Sequence, residues 1–220
     1  MTEPTDNLDI ISAQVRENLT AKDNAREKML PMCREAIRCC SEAIRAMHRQ
    51  EFDKADDLLG SANKLIKESE EALAGSPELV NTGSLRDAQK EYVEGCAVLN
   101  IVTGKLLPTS EELAVDSAAY LNGLGEAASE LRRYLLDSMR KGDISKGEKL
   151  LTAMDDIYSV LVTIDFPDAI TGGLRRTTDM LRGVLERTRS DLTLLITQQD
   201  LGQRIENLEN KLENITEDHK

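Results

Sequence analysis

Apolar side chains recur at steps of three and four along nearly the whole chain, the period of one helical face. The first such stretch covers about residues 8 to 50, with Leu30, Cys33, Ile37, Cys40, Ile44 and Met47 as its core stripe. Pro31 is expected to kink or divide it, because proline lacks the N–H of a continuing helix. A second runs from about Phe52 to Leu73 on Ala55, Leu58, Leu59, Ala62 and Leu65, and residues 74–84 read as a loop. A third covers about Leu85 to Leu106. Thr109 and Glu112 have capping-box spacing and start a fourth that extends to about Arg140 and stops at Gly142-Asp143. A fifth covers about 145–163, and after the Asp165-Phe-Pro-Asp168 break a long sixth begins near Pro167. Its end carries Leu201, Ile205, Leu208, Leu212 and Ile215, about two heptads of a coiled-coil seam suited to packing or subunit contact. No strand alternation and no internal repeat interrupts this pattern. The expectation is an all-α protein: one domain over 1–220, a bundle of about six to seven long antiparallel helices, with residues 1–8 flexible and 200–220 a coiled-coil-like end.

Composition agrees with that class. Of 220 residues only four Tyr and two Phe are aromatic and none is Trp, while Ala and Leu dominate the apolar set, which favours helix over strand. A formal net charge of −12 argues against a simple exposed nucleic-acid-binding surface, though not against a local basic one. No stretch approaches the roughly 20 apolar residues of a membrane span. The start, MTEPTDNLDI, lacks the basic and apolar regions of a signal peptide, so a cytoplasmic location is expected. Cys33, Cys39, Cys40 and Cys96 fit no zinc spacing, with only His48 and His219 to help, and read as core thiols.

Charge changes the picture on the third and fourth helices. Beside the ordinary core stripe Leu85, Ala88, Tyr92, Cys96, Leu99 runs a second one, Asp87, Glu91, Glu94, Val98, Ile101, which begins acidic and turns apolar. The fourth helix pairs its core stripe Tyr120, Leu124, Ala127, Leu131, Leu135 with Ala119, Gly123, Glu126, Glu130, Arg133. Residues three or four apart on a helix are surface neighbours, so Glu91/Glu94 and Glu126/Glu130 are like-charged pairs at the edge of a buried region. Burying them without a partner costs several kcal/mol. If the two helices are neighbours, the four carboxylates converge on a hard cation, for which Mg²⁺ or Mn²⁺ fits best. The alternative is that they are solvated or paired with Lys90, Arg132 or Arg133. Small residues precede the glutamates, and Gly95 leaves room for another backbone. On the first helix Arg34, Arg38, Arg45 and His48, with Arg49 beside them, form a basic stripe suited to phosphate, or else a solvated face laced with Glu35 and Glu42. No Gly-rich phosphate loop, nucleophile elbow or Cys–His pair is present.

These residues carry a resemblance over about Ala25 to Leu195. Glu91-Tyr-Val-Glu94, then Tyr120-Leu-x-Gly123 leading to Ser129-Glu130-Leu131, then Gly142-Asp143-Ile144, together with the helix order, resemble the translin superfamily and within it the Trax (translin-associated factor X) branch. The resemblance implies a bundle of long helices assembling into a hollow, football-shaped octamer. Trax-type subunits are metal-dependent endoribonucleases, whereas translin-type subunits mainly bind nucleic acid and keep only the last of the four acidic positions. All four positions are acidic here, which sorts the chain with the catalytic branch. The position of Glu126 is usually Asp in Trax, and by the resemblance the longer side chain here would shift the position of a bound metal. The chain also lacks the long insert of eukaryotic Trax between the third and fourth helices, which implies a compact homologue acting alone as a homo-oligomer.

The expected function is therefore a Mg²⁺- or Mn²⁺-dependent endoribonuclease cleaving short single-stranded or unpaired RNA inside a closed homo-oligomer. Glu91, Glu94, Glu126 and Glu130 would serve as metal ligands and catalytic groups, and Arg34, Arg38, Arg45, His48 and Arg49 would hold the phosphate backbone of RNA or single-stranded DNA. The rivals are a non-catalytic translin-like shell that binds RNA or DNA, and a purely structural helical scaffold.

Overall fold

The computed structural model describes residues 5–76, 79 and 83–217, the side chains of 213 and 215–217 excepted. Among these, the chain forms six long helices and two single turns: α1 (Leu8–His48), α2 (Phe52–Ala72), α3 (Gly83–Thr103), α4 (Ser110–Leu113), α5 (Ser117–Arg140), α6 (Gly147–Leu161), α7 (Asp168–Thr171) and α8 (Leu174–Glu217). The all-α bundle expected from the periodicity is the observed fold. The loose start expected over residues 1–8 falls partly on residues 1–4, outside the described ones; 5–7 form a turn and the helix begins at Leu8. Parts of the 74–84 loop and His219 also lie outside the described residues.

Three boundaries differ from the sequence expectation, each for a local reason. Pro31 does not divide α1. It lies on the exposed face, as does Glu27 four residues back, so the carbonyl that loses its N–H partner is on the solvent side. The fourth helix is broken after one turn. Thr109 and Glu112 do form the capping box of α4, but Ala114 takes a left-handed conformation (φ 53°) that ends it. Asp116 then caps α5, its carboxylate accepting from the backbone N–H groups of Ala118 and Ala119. The last break is made by Gly172 and Gly173, both at positive φ, a region that side chains disfavour.

The buried apolar residues form one continuous cluster from Met29 on α1 to Leu192 on α8. At its centre α3 packs on α1, α2 and α5. It buries two faces, with Leu85, Ala88, Tyr92, Cys96 and Leu99 on one and Val93, Ala97 and Val98 on the other. Two glycines set the distances. Space at Gly95 is filled by the Leu59 side chain of α2, whose Cδ2 lies 2.6 Å from where a Cβ would stand, rather than by the backbone expected there. At Gly123 a backbone does approach: a Cβ would sit 2.7 Å from the Lys90 carbonyl oxygen and 2.7 Å from Val93 Cβ. The missing methyl lets α5 lie directly on α3, one turn before Glu126.

Only the first half of α8 joins this core, through Leu174, Leu181, Leu185 and Leu192. From Thr197 onward every described residue is exposed, including Leu201, Ile205 and Leu208 of the heptad stretch.

Candidate metal centre

The close contact of α3 and α5 at Gly123 brings Glu91 and Glu94 of α3 together with Glu126 of α5, distant in sequence. One oxygen from each of Glu91, Glu94 and Glu126 lies within 4.8 Å of the others, and all three residues are partly buried. Among the described residues the one cation paired with this group is Lys90, whose Nζ donates to Glu126 Oε1 at 2.8 Å. Three carboxylates against one ammonium leave a negative excess in a half-buried place, where charges are poorly screened.

The consequence is visible at Glu94. Burial first, and then the charges of Glu91, Glu126 and Glu130, push its carboxyl up to about 8, with Lys90 acting in the opposite sense. Glu91 is raised by burial and then by Glu126. Burial pulls Lys90 down, but its hydrogen bond to Glu126 and that carboxylate's charge leave it raised overall. A second positive charge would relieve the site. The donors present fit a hard divalent ion, since such ions take oxygen ligands. Thiols do not compete. All four cysteines are buried and free, and burial holds Cys40 and Cys96 well above the usual thiol range, Cys96 up to about 12.

Glu130, the fourth expected acidic residue, stands one turn along α5, close enough to raise Glu94, but outside the 4.8 Å group. Its Oε1 accepts from His48 Nε2 at 2.6 Å and from Arg133 at 3.3 Å. Of the cations that sequence offered as neutralising partners, Lys90 serves Glu126 and Arg133 serves Glu130. Arg132 instead turns to Thr188 and Asp191 of α8. The pairing of His48 with Glu130 spans 82 positions of sequence and no spacing rule announced it.

The basic stripe of α1 separates into three kinds of side chain. Arg38 is bound by Glu35 and Glu42 one turn either side, and Arg49 by Glu51. Arg34 and Arg45 are exposed and form no ion pair among the described residues. His48, the last residue of α1, turns inward.

No family model matches the chain. An uncharacterized protein of Methanocaldococcus jannaschii is 31% identical to it over 193 residues, covering 87% of this chain and 85% of that protein. Two structures of AfC3PO, one of them a complex with duplex RNA, are 34% identical with a TM-score of 0.78, covering 84% of this chain and at least 96% of theirs. The structure of apo-NeC3PO shares the fold at 23% identity and a TM-score of 0.73, over 89% of this chain and 99% of its own. With about a third of its residues shared along nearly the full length of AfC3PO, the chain belongs to the C3PO family, with the translin/Trax-like helical fold.

Proposed function

We propose that the protein is a Mg²⁺- or Mn²⁺-dependent endoribonuclease of the Trax type, acting in a closed homo-oligomer, an octamer by resemblance. The observation that carries this reading is the convergence of Glu91, Glu94 and Glu126 between α3 and α5 with one lysine to balance them. These three would hold the cation, and Glu130 supplies a fourth carboxylate beside them. A cation bound there would stabilise the charge that develops in phosphoryl transfer and ease deprotonation of a water. The chain's own part is to fix the carboxylates on two tightly packed helices, so that little reorganisation is needed when phosphate arrives. The complex of AfC3PO with duplex RNA supports RNA as the ligand class. Arg34 and Arg45, free of acidic partners among the described residues, are the best placed of the α1 stripe to meet a phosphate backbone. The exposed apolar seam Leu201, Ile205, Leu208 on α8 supports a subunit contact.

The test is cleavage of end-labelled short RNA, single-stranded and duplex in parallel, with Mn²⁺, with Mg²⁺ and with EDTA, by wild type and Glu94→Ala. Metal-dependent cutting that disappears in the variant is the expected result. Binding without cutting would move the protein to the non-catalytic, translin-like reading, and cutting that survives Glu94→Ala would place the chemistry elsewhere.

A further inference from the structure

We propose that His48 is the positioning residue of this site, fixing one oxygen of Glu130 so that the carboxylate stands as a held fourth acidic group beside Glu91, Glu94 and Glu126. The inference rests on the metal-centre reading above. It gives His48 a different role from the phosphate contact that its place on the α1 stripe suggested.

The geometry separates His48 from its stripe. Arg34, Arg38 and Arg45 are exposed, whereas the His48 side chain keeps only 11% of its surface. Its Nε2 lies 2.6 Å from Glu130 Oε1. A carboxylate accepts and does not donate, so Nε2 carries the proton of that bond. On the other side Nδ1 is 2.9 Å from Asp137 Oδ2, at ion-pair distance though without hydrogen-bond alignment. The Tyr134 ring lies against the imidazole at 5.9 Å between centroids. Glu130, Tyr134 and Asp137 follow one another along one face of α5, so three side chains of that helix enclose the end of α1.

Both hydrogen bonds to Glu130, from His48 and from Arg133, end on Oε1. Oε2 makes none among the described residues. Glu130 is thus anchored by one oxygen with the other uncommitted, one turn from Glu126. Arg133 is exposed and its contact is long at 3.3 Å, so the short bond from the enclosed histidine is the stronger restraint. A glutamate has three rotatable bonds, and a partner that fixes one oxygen removes much of that freedom before a cation arrives. Groups that orient a ligating carboxylate typically change metal affinity 10–100-fold when lost.

The experiment is calorimetric titration of the full chain with Mn²⁺ alone, for wild type, His48→Ala, His48→Gln, Glu130→Ala and the His48→Ala/Glu130→Ala double variant. RNA affinity in EDTA is measured alongside. His48→Ala should weaken Mn²⁺ binding about 10–100-fold. His48→Gln, whose amide can still donate to Glu130, should recover part of it. The double variant should bind no more weakly than Glu130→Ala, and the RNA affinity of His48→Gln in EDTA should match that of wild type. Unchanged Mn²⁺ affinity with weakened RNA binding in His48→Ala would overturn the inference and return His48 to the phosphate contacts. If His48→Ala does not fold, His48→Asn against His48→Gln decides: a weaker Asn variant supports positioning through reach, and equal affinities overturn it. Wild type that binds no Mn²⁺ overturns the metal centre and this inference together. Wild-type binding indifferent to His48 and Glu130 overturns this inference alone.

Discussion

Charged residues at helical spacing occur in two regions with opposite outcomes. Along α1, Arg38 sits between Glu35 and Glu42, and just past its end Arg49 sits beside Glu51, all near the surface and each paired with a close sequence neighbour. Between α3 and α5, Glu91, Glu94 and Glu126 are drawn together by helix packing, half-buried, with Lys90 alone against them among the described residues. Spacing is the same in both places. What differs is whether a charge finds its opposite locally or meets more of its own kind across a helix interface. The first arrangement needs nothing further, and exposed pairs of this sort contribute little. In the second, burial and then the neighbouring carboxylates push the Glu94 carboxyl up to about 8.

The largest effect should come from breaking the second region. Glu94→Ala is expected to lower metal-dependent cleavage by on the order of 100-fold or more, because it removes a proposed ligand and not merely its support. Glu42→Ala on α1 should leave the rate unchanged in the same assay.

Next in size is a dependence of stability on pH. Glu94 titrates near 8 in the folded chain and near the usual carboxylate range when unfolded, so the folded state keeps its proton longer. Stability from this group is complete below its unfolded pKa and declines as pH rises towards 8, by at most about 1.4 kcal/mol per pH unit. Urea denaturation of the metal-free protein between pH 5 and 8 should show the decline. Glu94→Gln should flatten it, and saturating Mn²⁺ should reverse it. A metal-free stability that rises over this range in wild type and falls in Glu94→Gln would contradict the assignment.

Gly123→Ala should cost about 1–3 kcal/mol, since its Cβ would collide with the Lys90 carbonyl and Val93. Gly60→Ala, with nothing within 4 Å of its Cβ on α2, should instead gain about 0.5–1 kcal/mol. Thermal melting of the two variants compares a glycine required by packing with one that is not. The smallest effect sharpens the α1 side. Arg34→Ala and Arg45→Ala should each weaken RNA binding several-fold and lower the salt slope by about one, as a lost phosphate contact does. Arg38→Ala, already held by two glutamates, should change the slope less.

Much of this was legible in the residues. Periodicity located the six long helices, and the acidic stripes of α3 and α5 named the glutamates before their helices were known to touch. The capping box at Thr109 was also plain, but Asp116 as a second cap was not, because Asp-Ser-Ala-Ala inside an apolar pattern reads as helix until Ala114 is seen to turn left-handed. The site itself was legible only as far as local spacing reaches. Which glutamates converge depends on how closely α5 approaches α3 at Gly123, and the restraint on Glu130 comes from His48, far away in sequence. The basic stripe put Arg34, Arg38, Arg45 and His48 on one line of α1. Its division into paired arginines, free arginines and an inward histidine depends on contacts that no periodicity encodes.

The unequal halves of α8 have a consequence for hydrogen exchange. Most helical stability in proteins comes from packing of an apolar face, and the exposed half of α8 has no such packing among the described residues. Amides between Leu174 and Leu192 should exchange only with opening of the whole core, while those beyond Thr197 are protected only as far as something covers them. Slow exchange in that second half, lost on dilution, would therefore report subunit association amide by amide, without any label at the contact.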